Sequence, residues 1–283
     1  MAKLALFVDR HDTFGPEYML HQIAQVWREQ GHEVVITADL DPAIEADVAI
    51  NHLDRTTLPL DLLSFFSRFP ATINATALDI SKQAISTNLV SKQDAYDGPV
   101  IVKTNANYGG LAEPAARGQG SILARAERAI RQRLPWSLRA SITPSEYRIF
   151  ETARDVPAPV WSNTDLVVER LITEKRDGLY CGRAWVFLGD KESNTLVFAN
   201  DPIVKAQNIL TFERRSNDEI PANLRQRRAE LGFDFGKFDY VIVDGEAVLF
   251  DANRTPSLPG TPEEFQERAT FFADGLTSLL KPT

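Results

Sequence analysis

The chain has 283 residues, 43% of them hydrophobic and 25% charged, with a formal net charge of −8, the composition of a globular protein of one large or two ordinary domains. That acidic balance argues against a nucleic-acid partner, since phosphate-backbone binding needs a surplus of Lys and Arg, and the single Cys181 excludes an internal disulfide or a cysteine metal cluster. No apolar run reaches the length of a membrane span and no leader-like opening is present, so no membrane partner is expected and the expected location is the cytoplasm.

Taken in chain order, residues 4–8 predict a strand, 9–15 a polar loop, 16–30 a helix stopped at Gly31, and 33–37 a second strand. Strands at 47–50 and 71–75 with a helix at 58–69 complete a small parallel α/β unit ending near residue 76. Its first loop lacks a G-x-G-x-x-G pattern, which disfavours an ordinary dinucleotide-binding dehydrogenase. His11 lies in that loop, at the carboxyl end of the first strand where open α/β sheets bind ligands, and is read as a contact to a second substrate. The four histidines show no metal-ligand spacing, and no G-x-S-x-G nucleophile motif occurs.

A helix carrying Lys82 follows Asp79, and a strand at 100–103 runs into the loop Thr104-Asn105-Ala106-Asn107-Tyr108-Gly109-Gly110. Arg125, Arg128, Arg131 and Arg133 fall on a predicted helix, where a solvated face explains them better than an acidic ligand. Residues 135–159, rich in Pro and polar residues, predict irregular structure. Strands are then expected at 165–171, 180–188, 196–200, 238–243 and 247–251, with helices at 218–231 and 262–280.

The most informative stretch runs from Gly236 to Pro256 and reads as a β-hairpin around Asp244-Gly245, with acidic residues at its open end. Asp251 and Asn253, two apart on an extended strand, project from one face. With a three-residue connection, 244–246, Asp239 becomes the direct cross-strand partner of Asp251; a two-residue turn puts it on the opposite face. Two carboxylates and an amide oxygen at one place suit Mg²⁺, which shares its shell with phosphates, so a phosphate-bearing cosubstrate is implied.

This hairpin resembles the metal-binding end of the ATP-grasp superfamily: an acidic residue, a hairpin, then acid-x-Asn ahead of a Pro. Pro99-Val-Ile-Val-Lys103 resembles the superfamily's strand ending in a phosphate-contacting lysine, and the loop holding Asn105, Gly109 and Gly110 resembles its cover over the phosphates. Lys82 sits where an earlier nucleotide-contacting lysine falls, with Lys92 as the alternative. Leu166-Val-Val-Glu-Arg-Leu-Ile172 resembles the hinge strand, in which Glu169 borders adenine and Arg170 and Leu171 offer it backbone groups. Gly182-Arg183 resembles the glycine and arginine of glutathione-synthetase-like and RimK-like members. The resemblance spans Lys82 to Pro259.

It implies an α/β (α+β) ATP-grasp fold, with a Rossmann-like pre-grasp domain over 1–76 and two grasp subdomains, 77–164 and 165–283, clasping the nucleotide. It further implies ATP and Mg²⁺, the metal on Asp239, Asp251 and Asn253, and Arg183, Lys205 and Arg254 as cations facing the transferring phosphoryl group. Asp251 stands where many relatives carry Glu, which leaves the metal count open between one and two. The implied reaction is ADP-forming ligation of a small-molecule or peptide carboxylate to an amine through an acylphosphate. A small-molecule kinase and a nucleotide-binding module without turnover are the other readings, and a homodimer is compatible with all three.

Overall fold

Three sheets organise the residues described in this computed structural model, which are 1–10, 14–107, 134–257 and 261–280. His11, Tyr108, Gly109, Gly110 and the arginines Arg125, Arg128, Arg131 and Arg133 lie outside the described residues. In the first sheet β1 (Lys3–Val8), β2 (Glu33–Thr37), β3 (Val48–His52) and β4 (Ala71–Ile73) run parallel in the order β2-β1-β3-β4. β1 is apolar from Leu4 to Val8 and β3 is buried along its whole length, because both of their faces are covered. Helix α1 (Met19–Glu29) packs Leu20, Ile23 and Trp27 on one face. Helix α2 (Asp61–Phe66) packs Leu62 and Phe66 on the other, with the Phe66 ring edge-on to Phe7 at 5.6 Å.

The middle sheet is antiparallel, with β5 (Val100–Thr104) between β6 (Arg148–Phe150) and β7 (Leu166–Arg170). Val100, Val102 and Val168 point into a core closed by Ile142 and by Val160 of α4 (Ala158–Trp161). Before it, the short α3 (Lys82–Ile85) is capped by the Ser81 hydroxyl, which accepts from the Ala84 N–H.

The third sheet contains β8 (Glu174–Arg176), β9 (Leu179–Leu188), β10 (Lys191–Ala199), β11 (Ile209–Arg215), β12 (Phe235–Val243) and β13 (Glu246–Asn253). Its order is β11-β10-β9-β12-β13, with β8 paired to β9. One face carries Trp185, Phe187, Phe238, Tyr240 and Leu249 against Ala77, Ile80, Ile85 and Leu224, the last from α5 (Ala222–Glu230). On the opposite face Val186 joins the core of the first sheet through α1 and α6 (Pro262–Ala273), which donates Ala269 and Phe272. The first and third sheets therefore share one core. Asn74, fully buried at a φ of 60°, fastens them polar to polar: its Oδ1 accepts from the N–H groups of Asp234 and Phe235 at 2.9 and 3.0 Å.

Departures from the sequence expectation have local causes. Residues 135–159 hold β6 and α4 as well as tight turns, because a three-residue strand is too short to show a period. The expected helix over 262–280 breaks between α6 and α7 (Leu276–Leu279), where Gly275 lies so close to the Leu188 carbonyl that a Cβ has no room. β8, Glu-Lys-Arg in sequence, and β11, largely exposed, are strands only because β9 and β10 offer free edges.

His52, at the end of β3, is fully buried, and burial followed by the nearby Arg254 charge lowers its pKa to about 3. The unfolded chain then binds a proton that the folded chain refuses, so stability falls as the pH drops from about 6.5 toward 3, by at most about 1.4 kcal/mol per unit. Melting temperatures measured between pH 7 and 4.5 should decline, and His52→Gln should flatten that decline; parallel curves for the two proteins would remove His52 as its source.

Candidate active site

The hairpin places Asp239 directly opposite Asp251, as the sequence reading requires, but by a different route. The connection is a two-residue turn, Val243 pairing with Glu246, with Asp244 and Gly245 both at positive φ (51° and 85°). This is the backbone of a type I′ hairpin turn. Alone it would send Asp239 to the far face. A bulge corrects it: Tyr240 pairs with Leu249 and Asp239 with Asp251, so Phe250 is the extra residue in β13. The three-residue connection is thus replaced by a tight turn plus a bulge beside the acids.

Beyond the bulge Lys237 pairs with Asn253, so Lys237, Asp239, Asp251 and Asn253 share one face as two neighbouring cross-strand pairs. Lys237 Nζ lies 2.9 Å from the Asp239 carboxylate, and Lys82 Nζ lies 3.1 Å from Asp251 Oδ1. Lys82 is only 4% exposed. Burial pulls both ammonium groups down, but their carboxylate partners outweigh it and both pKa values end above the ordinary lysine value. Asp239 is raised by the loss of surrounding water and by the like charge of Asp251, against the pull of Lys237. Each acid therefore carries its own cation.

The middle sheet supplies the facing wall. Lys103 Nζ is 2.6 Å from Glu169 Oε2, with Glu169 fully buried and its Oε1 without a donor among the described residues. The same ammonium lies 5.1 Å from the centre of the bulged Phe250 ring, which links the two sheets across the cleft. Burial raises the Tyr147 phenol, with Lys82 opposing and Asp251 and Glu169 reinforcing that shift, which places Tyr147 in the same electrostatic neighbourhood.

Other predicted residues are arranged differently. Arg183 pairs with Tyr240, whereas Asp239 pairs with Ala184. Neighbouring strand residues point to opposite faces, so Arg183 lies behind the sheet from the metal acids, bonded to Glu174 at 2.7 Å. Arg254, 0% exposed, donates to the carbonyls of Ala77 and Arg55. Both arginines correct the expectation of cations facing a phosphoryl group. Asn105 is committed to the backbone: its Oδ1 accepts from the Gln83 N–H at 2.9 Å and its carbonyl from the Lys82 N–H at 2.8 Å.

Of the backbone groups that Arg170 and Leu171 were expected to offer adenine, the two N–H groups donate to the carbonyls of Asn88 and Pro99 at 2.9 and 2.8 Å. Lys205 is half-buried and no ion pair holds it among the described residues; Val204 beside it packs over Gly182. Two cleft residues escaped the sequence reading. Lys237 was visible as a cation two before Asp239 on one strand, a spacing that already fixes a shared face. Phe250 was not, because its exposure to the cleft depends on the bulge.

No protein-family model matches this chain, and no curated protein does. Solved structures do. The ATP-grasp ligase PsnB complexed with its minimal precursor aligns at a TM-score of 0.53 and 12% identity, over 98% of this chain and 99% of that one. The chain has the ATP-grasp fold. PsnB complexed with a phosphomimetic variant of the precursor, Mg and ADP gives a TM-score of 0.53 at 13% identity, over 99% and 98% of the two chains. A RimK domain ATP-grasp protein from Sphaerobacter thermophilus DSM 20745 aligns at 0.47 with 15% identity, over 99% and 100%. In this chain of ATP-grasp fold the space between the middle and third sheets gathers Lys82, Lys103, Glu169, Lys237, Asp239 and Asp251.

Proposed function

We propose that the chain is an ATP- and Mg²⁺-dependent ligase that joins a carboxylate to an amine and releases ADP and phosphate. The observation that carries this reading is the pairing of Asp239 with Asp251 on a cleft wall where every carboxylate faces a lysine. The donor set fits Mg²⁺: two carboxylates and the Asn253 amide oxygen are too few to enclose a metal, which suits an ion completing its shell with phosphate oxygens. Among the described residues no group of three or more His, Cys, Asp or Glu forms a self-sufficient metal cage. PsnB, a ligase whose complexes hold a precursor, Mg and ADP, supports the same assignment through its fold.

Asp239, Asp251 and Asn253 would hold the ion, which when bound supplies charge neutralisation between the β- and γ-phosphates. Lys82 and Lys103 leave their carboxylates for phosphate oxygens, a stronger acceptor for the same charge. Lys237 takes the transition-state role first read onto Arg183, with Lys205 as a second cation. Phe250 and Glu169 border the base, and Gly109 and Gly110 are kept as candidate phosphate contacts. In the reaction a substrate carboxylate oxygen bonds to the γ-phosphorus and ADP leaves; an amine nitrogen then bonds to the acyl carbon and phosphate leaves.

ATP consumption with Mg²⁺ against a pooled library of amino acids, short peptides and small carboxylates tests this, following ADP, phosphate and product mass. Phosphate release with a product equal to acid plus amine minus water is expected; a stable product heavier by one phosphoryl group would instead identify a kinase, and ATP bound but never consumed a binding module. Lys237→Met should lower kcat about a hundredfold while leaving ATP affinity within a few fold, the pattern of a charge used mainly in the transition state. Equal losses in affinity and kcat/KM would demote it to ground-state binding.

A further inference from the structure

Two lysines of the proposed nucleotide site are already committed to carboxylates, Lys103 to Glu169 at 2.6 Å and Lys82 to Asp251 at 3.1 Å. A donor that is not committed lies beside them. β6 pairs antiparallel with β5, and their last pair is Val102 with Arg148. One step further along both chains brings Tyr147 level with Lys103. Val100 and Val102 point into the core of the middle sheet, whereas Lys103, on the opposite face, looks across to Phe250 of β13. Residues level with each other on paired strands share a face, so Tyr147 stands next to Lys103 on the side of the third sheet. α3 borders the same place, because the Lys82 N–H donates to the carbonyl of Asn105, just beyond Lys103.

The Tyr147 ring packs against the edge of the middle-sheet core, which fixes its position. Its hydroxyl has no hydrogen-bond partner among the described residues, yet it is not among the sealed polar atoms. The charges that act on it are Lys82, Asp251 and Glu169, which come from α3, β13 and β7. Three separate elements therefore converge on this phenol. Burial is the main reason its pKa lies above the ordinary tyrosine value, so it keeps its proton and can donate throughout the neutral range.

Resting on the ligase reading above, we infer that Tyr147 is a further nucleotide-positioning residue, its hydroxyl donating to an oxygen of the β- or γ-phosphate of ATP. Asp251 is one of the carboxylates assigned to the ion between those two phosphates, so a donor beside Asp251, Lys82 and Lys103 meets that end of the nucleotide. Glu169, which borders the base, acts on the phenol less than Lys82 and Asp251 do. Lys82 and Lys103 must each leave a carboxylate before they can hold a phosphate, exchanging one ion pair for another. Tyr147 gives up only water, so its bond to a charged oxygen is largely a net gain.

Calorimetry on the full chain with Mg²⁺ measures ATP and ADP, and ligand-observed NMR measures AMP. Tyr147→Phe keeps the ring and its packing and removes the hydroxyl alone. ATP and ADP should each bind about tenfold more weakly, the loss of one hydrogen bond to a charged acceptor, while AMP stays within about twofold of the parent. The melting temperature without nucleotide should not move, because the hydroxyl holds nothing in place, and the rise that ATP with Mg²⁺ produces should shrink. All three nucleotides weakened alike, with a lower melting temperature, would make Tyr147 a packing residue, and unchanged affinities for ATP and ADP would remove it from the site. Either result overturns the inference and leaves the ligase reading standing. A parent chain that binds ATP with this dependence on Tyr147, yet joins no carboxylate to an amine, does the reverse, and one that binds neither ATP nor ADP overturns both.

Discussion

Asp251→Ala should reduce Mg²⁺-dependent ATP turnover by about a thousandfold or more, with the protein still folded. Asp251 is half of the central cross-strand pair and the partner of Lys82, so its removal deletes a metal oxygen and frees a cation in one step. The freed cation complicates the reading, because a 4% exposed ammonium without its partner is itself destabilising. Asp251→Asn separates the effects: the amide oxygen can still accept from Lys82 at similar volume, but the negative charge that attracts the metal is gone. Both variants should lose turnover while only the alanine loses melting temperature. ADP release and thermal melts on the same preparations check this, and an asparagine variant retaining more than about a tenth of the activity would displace Asp251 from the metal site.

How much of this was legible in the sequence depended on whether the signal was periodic. The β1–α1–β2 opening and strands β7, β9, β10, β12 and β13 were visible because alternation and apolar runs report burial directly, as at Leu4 to Val8 and Leu166 to Val168. The ATP-grasp fold followed from motif order rather than periodicity, and the structural neighbours bear it out. The facing of Asp239 and Asp251 was read correctly for a partly incorrect reason. Sequence spacing cannot distinguish a longer turn from a tight turn plus a bulge, since both insert one residue before the pair. Arg183 was misplaced for a related reason: its position in a motif says nothing of strand parity, and only the pairing with Tyr240 shows that it lies behind the sheet. Backbone commitments such as those of Arg170 and Leu171 leave no sequence trace, because any residue type can make them.

Arg254→Met should destabilise the protein by about 2–5 kcal/mol, the cost of leaving two buried carbonyls without the donor that joined them. The arginine directly follows Asn253 and in sequence looks like a cation for the phosphoryl group, but it lies in a bend just past the end of β13. Fully enclosed, its guanidinium donates to the carbonyls of Ala77 and Arg55, joining the end of β13 to the loops after β3 and β4. Methionine fills a similar volume and leaves both carbonyls without that donor. Arg254→Lys should recover little, because a single ammonium cannot span two carbonyls that a planar fork bridges. Turnover per folded molecule, with the folded fraction taken from denaturant titration, should stay within about tenfold of the parent if Arg254 acts by holding these loops. A catalytic cation predicts the opposite pattern, an unchanged denaturation midpoint with turnover lost, so the two measurements together decide whether Arg254 shapes the site or takes part in it.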